Sequence, residues 1–231
     1  MEWMVNLDIM SSKPEISVLV ATYNTPFQQL QRAIRSVINQ TFQNFEIVLV
    51  DDGSTNDPGG RLDAFCEQQA NRIRLFRQEN NGQSSAINLA VTKSQGYYLS
   101  ILDADDEYLP QHLQSCREQM AAYDLIASTT QTIVDQPEDY FVLDRHHPDR
   151  LIHVDDCILF ATLFGKREVF TRRKFIDGYA ADADFYDWAK YHYRVGKVDL
   201  RTYRYYRNNP ESTCEQLKVK LGKKNNSTQI K

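Results

Sequence analysis

Along the first hundred residues, unbroken apolar runs alternate with segments in which apolar positions recur every three or four residues. Residues 16–21, 45–50, 73–76 and 97–102 are the runs, rich in Val, Ile, Leu and Phe. Short apolar runs of this kind mark strands covered on both faces. Between them, Phe27, Leu30, Ile34, Val37 and Ile38 fall on one helical face, as do Leu62, Phe65 and Cys66, and then Ala86, Ile87, Ala90 and Val91. Thr25-Pro26 predicts the start of the first helix, with Thr as cap and Pro at its first position. Asn80-Asn81-Gly82 predicts a turn. Strands and helices in strict alternation call for right-handed crossovers and a mostly parallel sheet, an α/β chain.

The second half is less regular. Leu109, Leu113, Cys116 and Met120 predict a helix that Pro110 permits to begin, and residues 125–134 predict one or two strands. Residues 135–156, with Pro137, Pro148 and scattered Asp and His, read as a long functional loop. A strand over 159–164, a basic helix over 166–174 and a helix carrying Phe185, Trp188 and Ala189 follow. The segment 198–206 sets Tyr203, Tyr205 and Tyr206 among arginines. It is either a surface for an anionic acceptor or membrane, or an edge strand with its rings on the core.

Composition narrows the class. The chain has 231 residues, 42% apolar and 25% charged, with net charge −4, which argues against a nucleic-acid partner. Four cysteines without a CxxC pair read as reduced thiols and not as a disulfide frame or zinc site. No stretch approaches the roughly 18 apolar residues of a membrane span, and residues 1–15 do not have the pattern of a secretory signal. A cytoplasmic protein is the expectation. The lysines of 211–231 allow a peripheral membrane contact, although such tails are commonly just solvated.

The chemistry concentrates where the strands end. Residues 97–102 run straight into Asp103, Asp105 and Asp106, and residues 45–50 run into Asp51 and Asp52. Carboxylates at the C-terminal ends of buried strands lie in the crevice where open α/β sheets bind ligands. Crowded carboxylates repel, and a divalent cation is the simplest way to keep them ionised, Mg²⁺ or Mn²⁺ suiting hard oxygen ligands beside a diphosphate. The plainer alternative is a solvated acidic turn capping the next helix.

In order, VLVATYN, SVINQTFQNFEIVLVDDGS, ENNGQSSAINLA and YLSILDADD resemble the family 2 glycosyltransferases, whose fold is GT-A. The resemblance covers roughly residues 14–207. It implies a single domain with a Rossmann-like, mostly parallel or mixed sheet flanked by helices. Residues 1–13 would be an extension, 14–108 the donor-binding half, 109–210 the acceptor-binding half with a flexible loop at 135–156, and 211–231 a polar tail. It also implies a nucleotide-sugar donor, UDP-linked, with Thr22, Tyr23 and Asn24 lining the base pocket. Asn81 joins this donor set, Asp52 would accept the uracil N3–H, Asp103 would hold the ribose hydroxyls, and Asp105 would bind the metal. Asp51 is left as a turn cap and Asp106 as a supporting or helix-capping group.

The general base that such an inverting enzyme needs is expected at Asp182 or Asp184, with Asp182 favoured. The Glu-Asp pair of many relatives is absent here, so the two positions stay open, and both also suit a helix start on dipole grounds. Where many relatives carry Ala-Arg-Asn, this chain has Ala86-Ile87-Asn88, which removes a cationic side chain. The Gln-x-x-Arg-Trp signature of processive synthases is missing. The resemblance therefore implies a single-transfer enzyme acting on a surface glycan or its lipid-linked precursor, monomeric or oligomeric. Two rivals are a catalytically inactive relative that binds nucleotide sugar or a partner, and a sugar-1-phosphate nucleotidyltransferase. The second lacks its glycine-rich basic loop in residues 22–32. His146 and His147 are candidates for metal or acceptor contact, or simply exposed loop residues.

Overall fold

The computed structural model describes residues 13–57, 59–145, 147, 150–178 and 180–208. Strands β1 (Ile16–Thr22), β2 (Phe45–Asp51), β3 (Ile73–Arg77) and β4 (Tyr98–Asp103) alternate with helices α1 (Phe27–Ile38), α2 (Arg61–Gln68) and α3 (Gln83–Lys93), as the apolar pattern requires. β1 lies between β2 and β4, β3 lies outside β2, and all four are parallel. Successive strand residues point to opposite faces. Val18, Val20, Ile47 and Leu49 accordingly pack with α1 and α2, and Leu19, Val48, Val50, Leu99 and Ile101 pack with α3 on the other face. Each such side chain, fully removed from water, contributes about 1.5–3 kcal/mol.

Helix α1 starts one residue later than expected. Pro26, with ψ 129°, is extended and precedes the helix, and no side chain caps it. Its ring constrains φ only, so ψ follows the packing of Phe27 edge-on against Phe65 at 6.0 Å.

The rest of the chain adds β5 (Glu107–Tyr108), α4 (His112–Gln119), β6 (Leu125–Ile133), β7 (Phe141–Leu143), β8 (Leu151–His153), β9 (Leu163–Lys166), α5 (Arg167–Arg172), α6 (Ala181–Lys190) and β10 (Val195–Tyr206). One eight-stranded sheet runs β3-β2-β1-β4-β9-β6-β10-β5. β9 is antiparallel to both β4 and β6, β10 is parallel to β6, and β5 closes the edge antiparallel to β10. The sheet is therefore parallel in its first half and mixed in its second. It is a three-layer α/β fold, with α1, α2 and α4 on one face and α3, α5 and α6 on the other.

Several expectations for this half are corrected. Residues 125–133 form one strand. The strand expected at 159–164 begins only at Leu163, after a 3-10 turn over Phe160–Thr162. Leu109 stays outside α4, in the turn that follows β5: its N–H donates to the Thr202 carbonyl at 2.8 Å and its carbonyl accepts the His112 N–H at 2.9 Å. The segment 135–156 is not an irregular loop: β7 and β8 pair within it as a small antiparallel sheet between two 3-10 turns. β10 is one strand in from the edge, and Tyr203 on it is only 1% exposed.

Cys66, Cys116 and Cys157 are free thiols. Burial pushes Cys66 up to about 11 and Cys116 higher, so neither is a nucleophile. No described helix is long and apolar enough to cross a membrane. Residues 1–12, His146, Cys214 and the lysine-rich segment 211–231 lie outside the described residues.

Candidate active site

The C-terminal ends of β1, β2, β3 and β4 meet along one edge of the sheet, with Thr22 in register with Asp51, Asp51 with Arg77, and Ala21 with Asp103. Strand parity then decides where each carboxylate goes. Asp51 has the parity of Leu49 and turns toward α1 and α2. There it lines a cavity of about 340 Å³ with Thr22, Ser54, Arg61 and Arg77. Its Oδ1 accepts the Ser54 N–H at 2.9 Å, and Arg77 Nε lies 3.5 Å from Oδ2.

Asp52 has the opposite parity and turns toward the α3 side of the sheet. Its Oδ1 accepts from Gln78 Nε2 at 2.7 Å and from the Asn81 N–H at 2.9 Å, and its Oδ2 accepts from the Gly82 N–H at 2.9 Å. Only 3% exposed, it clamps the turn between β3 and α3 and does not face the cavity. Gly53 beside it has φ 80°, and a Cβ there would come within 2.9 Å of the Asn80 nitrogen, so this turn requires glycine. The Asn81 side chain donates to Ser85 Oγ at 3.2 Å, folded onto its own helix.

Tyr23 is 52% exposed at the end of β1, its ring open at the strand edge. Asn24 sits at φ 51°. Its N–H donates to Ser54 Oγ at 2.9 Å and its Oδ1 accepts the Thr55 N–H at 2.8 Å. It therefore ties the loop after β1 to the loop after β2 and is a brace for the cavity wall.

Asp103 has the parity of Leu99 and Ile101 and turns toward α3 and α6. Gln83 Nε2 donates to its Oδ1 at 2.7 Å. Burial, with the charges of Asp105 and Asp182 nearby, pushes it up to about 7. Asp105 follows, its carbonyl accepting from Arg32. Arg32 in turn pairs with Glu107 at 2.9 Å and stacks over the Tyr206 ring at 4.1 Å. Asp106 does not cap α4. It is 1% exposed, and accepts from Tyr203 OH at 2.7 Å and from the Tyr206 N–H at 2.8 Å. The acidic loop is thus held by α1 on one side and β10 on the other.

The two base candidates are separated by the helix. Both lie in the first turn of α6, and residues two apart on a helix face opposite ways. Asp182 turns to the site, close enough for its charge to raise Asp103, and burial pushes Asp182 itself up to about 6. The Ala183 N–H donates to its Oδ1 at 2.7 Å. The Asp184 side chain is exposed and paired with Arg173 at 2.6 Å. The Gly178-Tyr179 turn before them has Tyr179 outside the described residues.

Three contributors were not singled out from the sequence. Arg77 is a lone arginine at a strand end, detectable only from its register with Asp51. Gln83 and Asn88 lie on α3 without any charge to mark them. Asn88 Nδ2 donates to the Phe175 carbonyl, and its Oδ1 accepts the Phe175 N–H, both at 2.9 Å, fixing the approach to α6. Ile87 is 1% exposed core.

Known proteins share the fold that carries these residues. The stretch matching glycosyltransferase GlyG of Streptococcus pneumoniae is 45% identical over 92 residues, 39% of this chain and 30% of that protein. The stretch matching chondroitin synthase of Escherichia coli is 35% identical over 108 residues, 46% of this chain and 15% of that protein. The chain thus spans under a third of either relative. Among solved structures, residues 1–349 of S. aureus TarS in complex with UDP-GlcNAc superpose with TM-score 0.66 at 19% identity, over 87% of this chain and 60% of that one. The mannosyltransferase PcManGT of Pyrobaculum calidifontis, in complex with GDP-Man and Mn²⁺, superposes with TM-score 0.68 at 19% identity, over 91% and 61%. The model of glycosyl transferase family 2 matches residues 17–190, from the first strand through the helix that carries Asp182, and the chain belongs to that family.

Proposed function

We propose that this chain catalyses a metal-dependent, inverting transfer of one sugar from a nucleoside diphosphate donor, a UDP-sugar, to a hydroxyl of a glycan or lipid-linked acceptor. The observation that carries it is the arrival of Asp51, Asp103 and Asp105 at one end of the parallel strands, beside the cavity and near enough to the start of α6 for the charge of Asp182 to act on Asp103.

Asp52 is the base reader that the resemblance implies; because Asp51 is the one that lines the cavity, it is proposed for that role in its place. An ionised carboxylate only accepts, so it selects a base with a ring N–H, as uracil and guanine have and cytosine lacks. The exposed ring of Tyr23 supplies a flat apolar surface for that base. Asp103 is assigned to the ribose hydroxyls.

The residues fit a divalent cation of the kind that the donor helps to hold. Asp105, with Asp103 beside it, offers hard oxygen ligands, and burial first, with the charges of Asp105 and Asp182 second, raises Asp103, a penalty on its ionised form that a cation would relieve. Among the described residues no group of three or more His, Cys, Asp or Glu is arranged to hold a metal unaided. Mn²⁺ or Mg²⁺ with diphosphate oxygens completing its shell suits that arrangement. When bound, it supplies Lewis-acid stabilisation of the charge left on the diphosphate.

Asp182 does the remaining work. A carboxylate pushed up to about 6 stays ionised at neutral pH yet is basic enough to take the proton of an acceptor hydroxyl. One carboxylate acting on the face opposite the leaving group gives a single displacement, hence inversion.

The first experiment is a thermal-shift titration with UDP, GDP, dTDP and CDP, each with and without Mn²⁺, on the wild type and Asp105→Ala. Ligand at a hundredfold over Kd stabilises by about 2.7 kcal/mol, a shift of roughly 5–10 °C for a chain of this size. The expected result is a UDP shift that requires both Mn²⁺ and Asp105. A flat response to all four would overturn the donor site. A UDP shift with no release of UDP from UDP-sugars, with or without acceptor, would point instead to the inactive binding relative.

A further inference from the structure

A second cavity, of about 320 Å³, lies apart from the donor edge and is lined by Thr130, Gln131, Thr132, Tyr140, His153, Asp155 and Arg201. Register places it. Ser100 on β4 and Ile126 on β6 both pair with Phe164 of β9, so three residues further on Asp103 is level with Thr129. Thr130 to Thr132 continue past that level, two strands across, with Gln131 on the face of Asp103 and the two threonines on the other, which sets the cavity about 10 Å from Asp103 along the same edge. It therefore lies in the half of the sheet away from the Asp51 cavity.

Three features make it a built site. The Tyr140 and His153 rings stack at 5.5 Å and 12°, and the small β7–β8 sheet supports them. His153 Nδ1 accepts the Asp155 N–H at 3.1 Å, which assigns the proton to Nε2 and makes that atom a donor. Arg201 reaches the cavity from an interruption of β10, where register with β6 is lost between Val198 and Tyr203 and the arginine backbone sits at φ 52°. A non-glycine residue held left-handed in a strand bulge is a strained feature that re-aims a side chain. Its guanidinium is fixed in place, Nη1 and Nη2 donating to Asp155 at 3.1 and 2.7 Å and Nε to Asp199 at 2.9 Å.

Charge decides what binds. Arg201 faces two carboxylates, so it is not a receptor for phosphate or uronate. Arg204 is likewise paired with Glu107. The Thr130 and Thr132 hydroxyls bond to each other at 2.6 Å, and the rest of the lining offers an amide, the outer oxygens and N–H groups of an Asp–Arg fork, and an aromatic stack. These are the partners of an uncharged ring bearing several hydroxyls. We infer that this cavity is the acceptor subsite, and that it takes a neutral sugar unit of an acceptor longer than one ring, whose reacting hydroxyl lies back at Asp182. The inference rests on the glycosyl-transfer reading above and replaces the anionic acceptor that the arginine-rich segment had left open.

The test is saturation-transfer NMR with cellotetraose, maltotetraose and chitotetraose as neutral probes and a hyaluronan tetrasaccharide as the anionic one. Each is added to protein holding UDP and Mn²⁺. Wild type is compared with His153→Ala and Arg201→Gln, and the UDP thermal shift of each variant reports that it is folded. The expected result is that a neutral tetrasaccharide binds the wild type and loses at least tenfold in affinity in both variants, while the UDP shift is retained. Absence of neutral binding, equal binding in the variants, or preference for the hyaluronan fragment overturns the assignment with the UDP shift intact. Absence of the UDP shift in the wild type overturns the donor reading instead, so the two failures are distinct.

Discussion

Asp182 and Asp184 differ by two positions in the sequence and by a half-turn in space. Asp182→Asn is expected to lower turnover by roughly 10²–10⁴, the usual contribution of a general base, and to leave the UDP shift in place. Asp184→Asn removes only an exposed pair with Arg173 and is expected to change turnover by less than about twofold, since such pairs contribute about 0–1 kcal/mol. Steady-state kinetics on both variants decides between them, and the reverse ranking would move the base to Asp184. The raised Asp182 also sets a pH limb. Because the ionised form is the active one, turnover is expected to fall as pH drops through about 6, and a profile flat from pH 5 to 8 would contradict it.

At the scale of elements, the turn between β3 and α3 depends on a carboxylate borrowed from β2. Asp52→Ala leaves the Gln78 amide and the Asn81 and Gly82 N–H groups without their acceptor. The expected cost is about 3 kcal/mol, a fall in Tm of roughly 6–12 °C measured by calorimetry. Asp51→Ala is expected to abolish the nucleotide shift with a smaller loss of Tm. If Asp52→Ala instead kept its Tm and lost only nucleotide binding, Asp52 would be the base reader after all. Most of the first four strands and three helices was legible, because an unbroken apolar run and a helical repeat are local properties. β9 and β10 were less so: Gly165 and the arginines of β10 break the apolar pattern, and their pairing with β4, β5 and β6 is made across long separations in the chain.

Across the whole molecule, the carboxylates of the site work against the stability of the metal-free protein. Asp103 and Asp182 sit at about 7 and 6, above the ordinary value near 3.9, so the folded chain holds protons that the unfolded chain has released. Their contribution is full below about pH 4 and is lost as pH rises through 6 to 7. Asp124 acts in the opposite sense: hydrogen bonding to Arg194 and Lys166 holds it well below the usual carboxylate range, and its contribution is lost only in acid. The Tm of metal-free protein is therefore expected to decline between pH 5 and pH 8, and less steeply in Asp182→Asn. A Tm that rises over that range would show that burial does not hold these carboxylates above their ordinary value.

The order of strands and helices through β4, the turn at Gly82 and the arrival of carboxylates at strand ends were determined by the sequence alone, since each depends on neighbours within a few residues. The surroundings that each member of an acidic pair meets were decided only by tertiary structure. Asp51 opens to the cavity and Asp52 is consumed by a turn nearly thirty residues away in the chain, and Asp182 meets Asp103 while Asp184 meets Arg173. A carboxylate's role depends on which donors and charges surround it, and those come from elements that folding brings together.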